Sequence, residues 1–314
     1  MWLEKAEVNL DGVLTTTQLG EQWHVIPRLA TLAAIQAGMG VVRRRFPGVT
    51  LKGFEFVPLD HYVQVTLTST NGTTWSASKS KPRFKAPRNL PTRKLYKYLD
   101  PLIQDAVNNP FTVSAPLPLT VAYTLGTRVL KRRIESRRID WYKEPERFDH
   151  LDSSLYPPTM LFDGLYWLTH VQYADRMAKI EKRNFDYQIP TLVIWESALE
   201  RLGLPLKVAP LNMHGLVDLM SVQYNSSLRG WVSYKLPDLP SDLRLVLGFV
   251  LDLVRRCVQL NPPESLEDSV RGLNTSGVVL LRGWDALKHT GFLNEEKLKR
   301  VFPNLQFLVT DLDL

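Results

Sequence analysis

Cysteine is almost absent from these 314 residues, and the single one, Cys257, excludes both a disulfide framework and a cysteine-based metal site. It falls inside an apolar helical pattern, so a packed core thiol in a reducing cytoplasm is expected. Long hydrophobic runs are lacking too. The longest, Leu245 to Val254, is interrupted by Asp252, and the N-terminal MWLEKAEVNLDG has acidic residues and no apolar h-region. Neither a membrane span nor a signal peptide is expected. The six histidines (His24, His61, His150, His170, His214, His289) never stand at i, i+3 or i, i+4 spacing, which argues against a zinc site. No GxSxG elbow and no Cys/His pair with local context occurs, which removes the commonest signs of nucleophilic catalysis.

What is present is core-forming material and an uneven charge. With 44% hydrophobic and 23% charged residues, the chain can bury a large core, as one elaborated domain or two intimate ones. The net charge is +7, yet residues 79–138 hold fourteen Lys/Arg against three Asp/Glu, a balance of +11, which leaves about −4 for the remainder. Such a basic segment meets nucleic acid or an acidic protein, or is simply a solvated face. Within it stand Lys131, Arg132, Arg133, Arg137 and Arg138, with Trp141 and Tyr142 just beyond. An aromatic beside arginines is an arrangement that stacks a base while holding its phosphates. Tyr166, Trp167 and Tyr173 lie in a helical pattern instead and are assigned to packing.

Read for organisation, the first 80 residues give two strands about Asp11-Gly12, a helix over 28–45 and three strands at 49–57, 62–69 and 74–80, the last two joined across Asn71-Gly72. KSKPRFKAPRNLPTRK at 79–94 reads as an exposed connection. Helices are expected near 92–107, over 162–183 and 191–202, with a strand at 119–123; on the 162–183 helix, Trp167, Val171, Ala174, Met177 and Ile180 form one apolar side. Strands follow at 206–210 and 230–235, then a long apolar helix over 240–260 ended by Asn-Pro-Pro.

The most informative stretch is GVVLLRGWDALKHTGFLNEEKLKRVFPNLQFLVT at 277–310. Val278 to Leu281 read as a buried parallel strand, a helical stretch follows, and Leu305 to Thr310 read as the next strand. This string, above all VFPNLQFLVT at 301–310, together with LPSDLRLVLGFVLDLVRRC at 239–257 and, less specifically, PLTVAYTLGTR at 118–128 and RFDHL at 147–151, resembles a Walker-deficient member of the bacterial AAA-family ATPases related to RecF, SMC and ABC proteins.

The resemblance implies an α/β fold, a P-loop NTPase-type mixed sheet with flanking antiparallel strands. It divides the chain into two core halves, 1–80 and 205–314, around a basic, mostly helical insertion at 81–204. It also implies where the chemistry has gone. The Walker A position is GEQWHVIP at 20–27, where only Gly20 remains and Ile26 and Pro27 replace the phosphate-binding Lys and the Mg²⁺-binding Ser/Thr. The strand that should end in Asp-Glu, for Mg²⁺ and the attacking water, ends in Arg282-Gly283. In the signature, Pro240 and Asp242 replace the serine and glycine that contact a partner's γ-phosphate, and Leu312 replaces the switch histidine. Asp285 and His289 keep the family's residue types at the D-loop side. The implied function is a catalytically silent assembly or regulatory subunit with no cofactor. Because ABC-type heads dimerise face to face, its implied partner is an active ATPase subunit, a second copy, or an effector of an antiphage or genome-maintenance system. The rival readings are a nucleic-acid-binding module built on 79–138 and a divergent ATP-binding protein.

Overall fold

The structure is a computed structural model that describes residues 2–10, 13–25, 62–80, 93–109, 116–125, 160–184, 189–204, 206–208, 221–226, 230–235, 238–263, 265 and 273–310. The helix expected over 28–45, the strand over 49–57 and most of the basic connection, 81–92, lie outside them.

The element order is β1 (Leu3–Leu10), β2 (Val13–Gln18), β3 (Trp23–Val25), β4 (Tyr62–Ser69), β5 (Thr74–Ser80), α1 (Arg93–Asn108), β6 (Leu119–Thr124), α2 (Met160–Glu181), α3 (Pro190–Leu202), β7 (Leu206–Val208), β8 (Ser221–Ser226), β9 (Gly230–Lys235), α4 (Ser241–Leu260), β10 (Gly277–Arg282), α5 (Trp284–Lys288), α6 (Glu295–Val301) and β11 (Leu305–Thr310). Three sheets form: antiparallel β2-β1-β4-β5, parallel β3-β11-β10-β6, and antiparallel β7-β8-β9. The fold is therefore mixed α/β, as expected. The span read as a helical insertion, 81–204, supplies α1, α2 and α3 and also β6, which lies beside β10 in the parallel sheet.

The apolar run Val278 to Leu281 forms a strand because both its faces are covered, and every one of its side chains is buried. Helix α4 packs against α2, α3, α5 and β6. The helical pattern of α2 holds for its first half: Trp167, Leu168 and Val171 are buried. It fails beyond Val171, where Tyr173, Ala174, Met177 and Ile180 are exposed, so the expected apolar side is only partly core.

Gly277 opens β10 with φ 155°, and a Cβ there would stand 1.9 Å from the Leu119 carbonyl oxygen, so no other residue fits between β10 and β6. Two buried amides join the layers. On β11, the Gln306 side chain accepts from the Leu3 N–H at 2.8 Å and donates to the Leu3 carbonyl at 2.8 Å, while its nitrogen also reaches the carbonyls of Leu19 and Glu21. At the end of α4, Asn261 accepts from the Leu117 N–H at 2.8 Å and donates to the Leu117 carbonyl at 3.0 Å. Each amide offers one backbone residue the donor and acceptor that a neighbouring strand would have supplied. Among the described residues, no helix is long and apolar enough to cross a membrane.

Candidate functional site at the strand ends

All four strands of the parallel sheet point the same way, and their register brings their carboxyl ends to one edge. Arg282 stands level with Thr124 on one side and Thr310 on the other, and Val25 pairs with Val309. In open α/β sheets this edge is where ligands bind, because the strand-to-helix turns converge there.

The turn after β10 is set by Gly283, which adopts the left-handed conformation (φ 76°, ψ 39°) and caps α5. The Arg282 carbonyl accepts from the Leu125 N–H at 2.7 Å, tying this turn to the end of β6. The next residue, Trp284, is buried edge-on against Trp23 of β3 with ring centroids 5.0 Å apart, and Trp23 in turn faces Phe307 at 5.6 Å. Asp285 and His289 are exposed on α5, joined by the His289 N–H donating to the Asp285 carbonyl at 2.9 Å. The local sequence Arg-Gly-Trp-Asp thus places a guanidinium where β10 ends, a left-handed glycine, an aromatic anchor and one exposed carboxylate.

Pro240 is the N-cap of α4 and provides no side-chain cap; Asp242 is exposed in the first turn, 3.4 Å from the Ser241 hydroxyl that donates to it. Helix α4 runs against the strand direction, since its carboxyl end meets Leu117, ahead of β6, while Asp252 meets Tyr123 near the end of β6. From Asp252 the helix continues about 18 Å to Pro240, which carries Pro240 and Asp242 past the strand ends. The structure therefore groups Arg282, Gly283, Asp285 and His289 at one turn and sends Pro240 and Asp242 beyond the same edge.

One expectation is corrected. GEQWHVIP was read as a loop in the Walker A position, but Trp23–Val25 is a strand, held by parallel pairing to β11 and by the Phe307 N–H donating to the Gln22 carbonyl at 2.7 Å. Gly20 precedes that strand and so lies toward the end of the sheet opposite the candidate edge, exposed and with open space about its α-carbon. The residues that leave β3 toward the edge are Ile26 and Pro27, which lie outside the described residues, as do Leu312, Lys131, Arg132, Arg133, Arg137, Arg138 and Trp141. Among the described residues, no group of three or more His, Cys, Asp or Glu is placed to hold a metal ion.

Sequence reading missed the ionic cluster beneath this edge. Asp252, which merely seemed to interrupt an apolar run, is wholly buried. Its Oδ1 accepts from Arg255 Nη2 at 2.6 Å and Nε at 3.2 Å; its Oδ2 accepts from Arg256 Nε at 2.6 Å and from the Tyr123 hydroxyl at 2.9 Å. Arg255 Nη1 also donates to the Gln259 side chain at 3.2 Å. Burial works to raise the Asp252 pKa, but Arg256 and Arg255 outweigh it and hold the carboxyl below its ordinary value. Burial, with the Asp252 charge, pushes the Tyr123 hydroxyl well above the usual tyrosine range. The signal available in the sequence was the spacing of Asp252 to Arg255 and Arg256, i, i+3 and i, i+4 on one helix.

No protein-family model matches this chain, and no curated protein matches it. Among solved structures it is similar to the SMC head domain from Thermotoga maritima, 11% identical, covering 99% of this chain and 89% of that one with a TM-score of 0.35. It is likewise similar to an SmcHead bound to the C-winged helix domain of ScpA, 9% identical, covering 99% and 90% with a TM-score of 0.40.

Proposed function

We propose that this chain is an ATPase-like subunit without ATPase chemistry, acting as an assembly or regulatory scaffold. The observation that carries the reading is the end of β10. The position where an ATPase of the resembled class needs two carboxylates, one for Mg²⁺ and one for water, holds Arg282 and the left-handed Gly283. A guanidinium repels Mg²⁺ rather than binding it, and glycine offers no side chain to polarise water. The exposed carboxylate of Asp285 stands beyond the turn, on α5, and lacks a second acidic neighbour in the adjoining positions of the chain. With the hydrolytic groups replaced and the sheet retained, what the edge can still do is present a shaped surface to another protein.

The test is ATP turnover and nucleotide binding by the purified chain with Mg²⁺. No turnover is expected, and Asp285→Ala should change nothing; turnover that disappears in Asp285→Ala would overturn the reading. Affinity purification from the native cell, with and without nuclease, should recover a stoichiometric protein partner that survives the nuclease.

A second reading has its own observation, the +11 balance over residues 79–138. A nucleic-acid-binding segment there predicts affinity that falls steeply with salt through counterion release. It also predicts weakening when Arg132, Arg133, Arg137 and Arg138 become Glu. An absence of binding at low salt removes it.

A further inference from the structure

Strand β2, VLTTTQ, is the edge of the first antiparallel sheet and is exposed along almost all of its length. Val13 is 69% and Leu14 61% accessible, and of Val13 to Gln18 only Thr17 is even half-buried. Folded proteins protect such edges with charge, proline, a bulge or a covering element, because an open row of N–H and C=O groups pairs with any strand that reaches it. None of these protections is built into β2. It has no charged residue and no proline, and its pairing with β1 runs from Lys5↔Gln18 to Leu10↔Val13 without a register shift. The opposite edge of the same sheet differs: β5 has Lys79 in its sequence and packs against α1.

We infer that β2 is the pairing edge of a twofold dimer, in which β2 of one copy lies antiparallel to β2 of a second copy and joins two four-stranded sheets into one. Three features select a second copy over other strands. An uncharged edge meets itself without like-charge repulsion, the usual obstacle to self-pairing. Antiparallel pairing about a twofold axis puts residues of the same face opposite one another, so the axis passes through Thr15 or Thr16. The first choice sets Val13 against Thr17 and Leu14 against Thr16; the second sets Thr15 against Thr17 and Leu14 against Gln18. The central triplet Thr15-Thr16-Thr17 then pairs threonine with threonine or with a branched or apolar neighbour, combinations that stabilise antiparallel ladders. Finally, the twofold arrangement closes on itself, whereas β2 on β5 of the next copy would continue into a filament and bring Lys79 into the ladder. This pairing is independent of nucleotide and of the strand-end edge, so it can fail while the proposed function holds, and the reverse.

The test uses the full chain. Sedimentation velocity over a concentration series should show a reversible monomer–dimer equilibrium with a Kd on the order of 10 µM, as suits a small, mainly backbone-paired interface. Joint replacement Thr15→Lys and Thr16→Lys should weaken it at least about tenfold by opposing like charges across the axis, with the circular dichroism spectrum and thermal midpoint unchanged. A second set of variants does not depend on how the lysines are tolerated. Thr15→Cys or Thr16→Cys, whichever lies on the axis, should give a covalent dimer on mild oxidation, while Tyr98→Cys on the exposed side of α1 should not. The native thiol of Cys257 does not compete, being fully buried with its pKa raised by that burial. A chain that stays monomeric through the series, a dimer indifferent to the lysines, cross-linking equal at Tyr98→Cys, or open-ended polymers would each overturn the inference.

Discussion

The parallel sheet and the β2-edged antiparallel sheet solve opposite problems with the same kind of residue. In β10, five successive residues from Gly277 to Leu281 are buried; in β2, five of six are exposed. The difference lies in what covers each strand. β10 has β11 and β6 on its flanks and α4 and α5 packed about it, so even polar neighbours are forced into internal partnerships. β2 has β1 on one side and open space on the other, so valine, leucine and threonine remain in water. The covered sheet has little freedom for sequence change, and the uncovered edge has spare binding capacity. Substitutions in the two sheets should therefore differ in stability effect by an order of magnitude.

The largest effect is expected at Gly277→Ala. The added methyl would overlap the Leu119 carbonyl, and φ 155° is a conformation alanine avoids, so β10 must separate from β6. A loss of more than about 4 kcal/mol, read as failure to give a cooperative thermal transition, is expected. A normal melt for this variant would show that the parallel sheet is far looser than its burial implies.

Next comes the ionic cluster. Asp252→Leu leaves two buried guanidiniums without their shared carboxylate, at a cost of about 3–5 kcal/mol in denaturant unfolding. The pH dependence has a definite sign. The folded-state pKa of Asp252 lies below its unfolded value, so its contribution is present above the unfolded value near about 3.9 and is lost as pH falls through the folded one. Stability should drop on acidification below about pH 4. In Asp252→Asn the curve should start lower and lose part of that acid limb. Tyr123 acts at the other end: its pKa is raised, so its contribution is full below about pH 10 and declines as pH rises further. In Tyr123→Phe that alkaline decline should be smaller.

Which parts of this arrangement were legible depends on whether a residue's role is set locally. β1, β2, β4, β5 and β6 and the helices α1 to α4 announce themselves through alternation, turn dipeptides and apolar spacing, and the parallel β10 and β11 through unbroken apolar runs. β3 was hidden because three residues cannot display a period, and the Walker A template made a loop of them; only pairing with Phe307 to Val309 makes them a strand. β8, SVQYNS, is too polar to signal a strand alone and exists through β7 and β9. The same distinction holds at the strand ends. Arg282, Gly283, Asp285 and His289 were found together because they are neighbours in sequence. The partners of Asp252 on its own helix were also near at hand, but Tyr123 lies far away in the chain, and nothing local indicates that its hydroxyl closes the cluster. Gln306 and Asn261 were missed for the same reason: a buried amide is identified by the backbone that it meets.

Gln306 is where the two sheets can be separated experimentally. Its amide holds both backbone groups of Leu3, the first residue of β1, against β11. Gln306→Leu keeps the volume but strands a buried N–H and C=O, with an expected loss of about 2–3 kcal/mol. Hydrogen exchange would sharpen the comparison, because the loosened region should be β1 with β2, while β10 keeps its protection. Equal loss of protection in β10 would mean that the sheets unfold as one unit.

The smallest effect is expected at Leu14→Ala, and its smallness is the informative part. The side chain is 61% accessible, so its truncation removes few contacts and leaves no cavity; the thermal stability of the monomer should change by no more than about 0.5 kcal/mol. The same truncation at Leu281, which is fully buried, creates a void between packed layers and belongs with the core losses. If β2 pairs with its own copy, however, Leu14 lies opposite Thr16 or Gln18 of the second chain, and the variant should weaken dimerisation while leaving the monomer's melting unchanged at low concentration. A variant silent in the monomer and visible only in the concentration dependence assigns Leu14 to association. A destabilised monomer would instead mean that Leu14 is held by packing within its own chain, and the contrast between the two sheets would shrink accordingly.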